Sequence, residues 1–244
     1  MSPTPASLAG DNPAGQGRGY IAAALGQGRG YVAAALVTIC VVLSGLLGGC
    51  TTSVMYVGSS TQDLYFKVPN TWEVFSHATL QENGWVDPAA SSQAALAGQS
   101  HPVFETVAGA NPKVASSVDT QSGPYPWAMA QVVALDGEDQ ANSSLSALAD
   151  EDYPIDQLNQ DGDRVQQLSP TKVLVDGALR GSRVAYQIES QQTGAISFEQ
   201  VAFLNSATDK VWLLDVGCSP ACFQAHRAVL DRIVSSFIVT GQGH

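Results

Sequence analysis

Hydrophobic positions divide this chain into two unlike parts. Residues 31–47 form an almost unbroken apolar run, whereas from residue 64 onward apolar residues come in short stretches separated by turn formers. The later stretches predict strands. Leu64-Tyr65-Phe66-Lys67-Val68 reads as one, stopped by Pro69-Asn70, and Trp72-Glu73-Val74-Phe75 as the next. Asp87-Pro88 supplies an N-cap and a proline at the first helical position, and Gly98 a stop. Residues 99–124 show no clear period and read as loop. Trp127 to Leu135 is a continuous apolar strand, and Asn142–Ala149 and Pro154–Asn159 read as two short helices.

The second half is clearer. Val173-Leu174-Val175 runs into the Asp176-Gly177 turn signal. Arg183 to Glu189 alternates, with Val184, Tyr186 and Ile188 on one face and Arg183, Gln187 and Glu189 on the other. Ile196–Leu204 and Val211–Val216 complete an antiparallel meander. Pro220 to Phe237 predicts an amphipathic helix with Phe223, Leu230, Ile233 and Phe237 on its inner stripe. Meander strands covered by a helix predict an α+β fold, an α/β/α sandwich around a mainly antiparallel sheet.

The early apolar run carries a different message. Arg18 and Arg29 precede it, and it closes on Leu47-Gly48-Gly49-Cys50. A positive region, an apolar segment and small residues before a cleavage point are the parts of a secretory signal. A cysteine directly after them matches a lipobox, in which the thiol takes a diacylglyceryl group and becomes the mature N-terminus. Two acyl chains bury enough methylene groups for stable anchoring. The alternative is an uncleaved membrane helix, for which 17 residues is the short end of the spanning range. Both place the later part of the chain outside the cytoplasm and at a membrane. Residues 15–25 recur at 26–36 with only Ile21 changed to Val32. Two copies make no solenoid, so this reads as a local duplication or as a sign that translation starts later. The expected organisation is a leader over 1–49, a lipidated tether over 50–62, one α+β domain over 63–239 and a tail over 240–244. Thr51 is not the aspartate that retains lipoproteins at an inner membrane.

Charge narrows the partners. The chain has 11 Lys+Arg against 22 Asp+Glu, net −11. Without Arg18, Arg29 and Asp11 the remainder carries about −12, which repels nucleic acid and anionic head groups. Nine acids crowd between Asp136 and Asp163, but their spacing does not fit a calcium loop, and they read as a solvated face.

Phe66-Lys67-Val68-Pro69-Asn70-Thr71-Trp72, the late hairpins and a last helix closing on Ser235-Ser236-Phe237 together resemble the Mog1/PsbP-like fold over residues 62–239. The chain is similar to uncharacterised actinobacterial lipoproteins that use it. The resemblance implies a six- or seven-stranded antiparallel sheet with helices on both faces. It carries over no catalytic residue, because that fold hosts binding and assembly proteins.

Candidate chemistry is sparse. Cys218-Ser219-Pro220-Ala221-Cys222 sits where a strand turns into the last helix, and in an exported domain the pair predicts a disulfide. The rivals are a redox dithiol and a metal site adding His226, with His244 as a free fourth ligand; Pro220 argues against the continuous helix that would align them. Ser169-Pro170-Thr171-Lys172 matches the Ser-x-x-Lys pattern of penicillin-recognising enzymes, but its partner motifs are missing and a turn is expected. Asp215 shares a strand face with Val211 and Leu213, as a perturbed acid in a cleft or, the expected case, an exposed or paired acid near a strand end. His77 and His101 are scattered. Trp72, Trp85, Trp127 and Trp212 read as core, with a pocket wall as the alternative. No catalytic residue, metal or cofactor is assigned. The expected protein is a non-catalytic lipoprotein anchored through Cys50, which binds an envelope protein, lipid or glycan. A hydrolase using Ser169 or Asp215, or a cation or redox module at Cys218, Cys222 and His226, stands as the alternative.

Overall fold

The computed structural model describes residues 53–83, 92–94, 96–97, 99–111, 122–144, 148, 158, 163–190 and 194–240. The leader, Cys50 and Trp85, the helix start at Asp87-Pro88, most of the helices expected over 142–159, and His244 lie outside them.

Two antiparallel sheets and one long helix organise these residues. A small sheet joins β1 (Val54–Ser59), β2 (Leu64–Pro69) and β11 (Ile238–Val239), with β2 central. The main sheet has eight strands. They are β3 (Glu73–Phe75), β4 (His101–Gly109), β5 (Trp127–Ala134), β6 (Arg164–Gln167), β7 (Lys172–Asp176), β8 (Leu179–Ser190), β9 (Gly194–Leu204) and β10 (Lys210–Cys218). Their spatial order is β3-β4-β5-β10-β9-β8-β6, and β7 pairs the other end of the same β8 edge. Among the described residues, helices with both ends defined are α1 (His77–Glu82), α2 (Gly137–Asn142) and α3 (Pro220–Ser235). The α+β class expected from the sequence is therefore observed, with one more strand in the main sheet than the resemblance implies and a second, smaller sheet beside α3.

The apolar run of β10 lies at the centre, buried on both faces between β5 and β9. On one face Trp212, Leu214, Val216 and Cys218 join Ala128, Ala130, Val201 and Phe203 in a cluster that also takes Phe66 and Val68 of β2 and Phe223, Leu230, Ile233 and Val234 of α3. The alanines of β5 fall on this helix-covered face, while its large residues Trp127 and Met129 face the other way. There they pack with Leu80, Val107, Val184, Tyr186, Ile188 and Phe198.

Three expectations need correction. Residues 54–59, expected within the tether, form β1, because Met55 and Val57 turn inward and the backbone pairs with β2 from Val54↔Pro69 to Ser59↔Leu64. The pairing needs glycine at 58, where φ is +152° and a Cβ would meet the Leu64 carbonyl oxygen at 2.0 Å. Residues 101–109, read as loop, form β4. The last helix stops at Ser235 rather than Phe237: the Ser236 hydroxyl donates to Ile233 O (2.7 Å) and accepts from Lys67 N (2.8 Å), which turns the chain into β11.

Candidate functional site

Polar side chains gather on both faces of the central strands, and each set has a different character. On the helix side, Glu199 of β9 is 2% exposed. Arg183 of β8 donates from Nε to Glu199 Oε1 at 2.5 Å, and its Nη2 lies 3.3 Å from Asp231 of α3. Arg227, one helical turn before Asp231, stands 3.3 Å from both Glu199 Oε2 and Asp231 Oδ1. Two cations and two carboxylates thus lock the helix to β8 and β9. Burial of Glu199 makes the network depend on all its members, since a buried charge deprived of its partner is costly.

On the opposite face a polar row crosses the sheet. Asp215 of β10 is fully buried, with Gln200 of β9 and Met129 of β5 as its cross-strand neighbours. Two residues along, Gln131 donates from Nε2 to Glu105 Oε1 at 2.9 Å. Glu105 N donates to His77 Nδ1 at 3.1 Å, and His77 Nε2 pairs with the Gln81 amide at 3.0 Å. Gln200 is 1% exposed, and among the described residues neither its Oε1 nor its Nε2 has a hydrogen-bond partner. Such an amide carries an uncompensated desolvation cost. The expectation of an exposed or paired Asp215 near a strand end is corrected as to exposure: β10 runs two residues further than the apolar pattern indicates, and the acid is fully buried with β5 and β9 on either side.

Cys218 and Cys222 form a disulfide, Cα–Cα 5.8 Å. Cys218 ends β10, and Ser219 and Pro220 are the N-cap and first residue of α3. The rival metal geometry fails on this point, because Cys218 is in a strand and His226 is exposed on the helix. Among the described residues no group of three or more His, Cys, Asp or Glu is placed to hold a metal.

Ser169 lies in the turn between β6 and β7, where its Oγ accepts from Ala185 N at 3.1 Å. That backbone bond, and a Lys172 exposed at the start of β7, account for the Ser-x-x-Lys pattern without nucleophile chemistry. Ser169 contacts β8, and β9 separates β8 from the strand bearing Asp215, so the two do not meet. The sites of His77, His101 and His226 are likewise separate: α1, the start of β4 and the outer side of α3. Trp127 and Trp212 are fully buried and Trp72 nearly so, and Trp212 Nε1 donates to Gln62 O at 2.7 Å. An open cleft of about 410 Å³ beside β6 and β8 is walled by Asp163, Arg164, Val165, Gln166, Gln187 and Glu189. Gln187 Nε2 donates to Glu189 Oε1 at 3.0 Å in its wall, and among the described residues that line it no nucleophile stands beside a base.

No protein-family model matches the chain, and no curated protein does. Among solved structures it is similar to the cyanobacterial PsbP of Synechocystis sp. PCC 6803, with 11% identity, TM-score 0.47, and 79% of this chain and 96% of that one covered. It is also similar to LpqN of Mycobacterium tuberculosis, described as involved in cell envelope biogenesis (10% identity, TM-score 0.45, 78% and 91% covered). A third is the Ran-binding protein Mog1p of Saccharomyces cerevisiae (11%, TM-score 0.43, 78% and 96% covered).

Proposed function

We propose that this protein is an exported lipoprotein, held at the outer face of a membrane by a lipid on Cys50, with a non-catalytic binding or assembly role at the cell envelope. The observation that carries the reading is the junction itself. An apolar run, two glycines and Cys50 are followed at Val54 by the first strand of a folded unit. A lipobox needs a small-residue cleavage site and a thiol there, and the lipid on that thiol would hold the folded unit that follows at the membrane. The Cys218–Cys222 disulfide supports export, because such bonds persist in oxidising compartments. The polar side chains of the main sheet support a role without chemistry: Ser169 holds a backbone amide, and Arg183, Glu199, Arg227 and Asp231 hold a helix.

Native mass spectrometry of the mature protein, gently extracted from its own membrane, tests the binding role. Non-covalent mass beyond the acyl chains identifies a lipid or small-molecule carrier. A lipidated polypeptide alone directs the search to a protein partner by crosslinking in cells. Rapid turnover of an envelope substrate by the purified protein rejects the non-catalytic role.

A further inference from the structure

Among the described residues, the small sheet buries one face and leaves side chains of the other exposed. Val57, Leu64, Phe66, Val68 and Val239 belong to the core cluster of α3. Strand alternation puts Val54, Tyr56, Tyr65, Lys67 and Ile238 on the opposite side, with Tyr56 across from Lys67 and Tyr65 between Gly58 and Ile238. Val54 is 51% exposed, Tyr56 69% and Ile238 48%. The Lys67 ammonium lies 5.0 Å from the centre of the Tyr56 ring.

The strands of this sheet carry little charge. The chain carries 22 acidic residues, yet none falls among the fourteen strand residues of the small sheet, whose one charge is Lys67. Exposed aliphatics, two tyrosines and a lysine that can reach outward are the composition of a protein surface at a membrane–water boundary. Covalent geometry selects the same occupant. Val54 is four residues from Cys50, and four residues span at most about 14 Å fully extended.

Resting on the lipid-anchor reading above, we infer that the outer face of β1, β2 and β11 docks on the lipid head groups of the anchoring membrane. The lipid on Cys50 then fixes the domain's orientation as well as its location. The side chains that touch the bilayer are Val54, Tyr56, Tyr65, Lys67 and Ile238.

Tyrosine nitration reads this directly. The full chain, matured in a lipid-modifying bacterial host, is reconstituted into phosphatidylcholine vesicles and treated with tetranitromethane. Tyr125, 51% exposed and outside the small sheet, is the internal reference. Docking predicts that Tyr56 is nitrated at least tenfold more slowly than Tyr125, and that the ratio holds when the lipid-to-protein ratio is raised a hundredfold. Nitration of Tyr56 within threefold of Tyr125, in protein that floats with the vesicles and carries acyl mass on Cys50, overturns the docking while leaving the anchor intact. Protection that disappears on dilution in the membrane overturns it in favour of contact between two copies. Absence of acyl mass, with no flotation, overturns the anchor reading and the docking with it.

Discussion

Replacing Gln200 by methionine raises the stability of this protein. The amide is 1% exposed and, among the described residues, makes no hydrogen bond through either its oxygen or its nitrogen. Leaving a buried polar group unpaired costs about 1–3 kcal/mol. Methionine has nearly the same length and no polar atom needing a partner, and a volume-conserving swap costs under about 1.5 kcal/mol in fit. The net gain is about 1 kcal/mol, which for a domain of this size raises Tm by roughly 2–4 °C. Scanning calorimetry and urea unfolding at constant m-value measure it. Gln200→Glu gives the opposite sign. It adds a carboxylate across from Asp215, at a cross-strand Cβ separation of about 5 Å, and lowers stability by about 3 kcal/mol. If Gln200→Met instead destabilises by 1 kcal/mol or more, the amide is satisfied by a bound water or ligand, and the reasoning from an unpaired group is refuted.

Three further outcomes follow from other contacts. Cys218→Ala with Cys222→Ala removes a bond closing a loop of only four residues, so the chain-entropy loss is about 2 kcal/mol and the domain still folds, as read by circular dichroism and urea melts. Arg183→Met costs about 3 kcal/mol because it strips a buried carboxylate of its shorter contact, whereas Glu199→Gln costs about 1 kcal/mol; a double-mutant cycle in urea shows coupling between them. Ser169→Ala lowers stability by about 1 kcal/mol through the lost acceptor for Ala185 N and leaves any binding measured by native mass spectrometry unchanged, while loss of function at full stability would restore Ser169 as a nucleophile.

The sequence carried the meander and the last helix well, because β8, β9, β10 and α3 each show a clean period or a long apolar run. Val184, Tyr186 and Ile188 do share one cluster, and Arg183 lies on the other face. The misses have local causes. In β4 the pairing with β5 shifts register between Pro102 and Phe104, which breaks the two-residue period. Arg164-Val165-Gln166-Gln167 offers a single apolar residue and is held as β6 by its backbone pairing to β8. Gly137–Asn142 buries nothing; α2 forms because Asp136 Oδ1 accepts from Glu138 N and Asp139 N. For the polar row, the signal was present in Phe198-Glu199-Gln200-Val201, two polar residues inside an apolar strand, one for each face. What period alone does not give is which strands flank them, and so that Glu199 meets α3 while Gln200 meets Asp215.

Lipid attachment at Cys50 is tested most directly by the mass of the N-terminal peptide of the membrane-associated protein. The prediction is a peptide beginning at Cys50 and carrying the mass of a diacylglyceryl group, found only in the membrane fraction. A peptide that continues upstream of Cys50, or an unmodified Cys50 thiol in protein from that fraction, contradicts it.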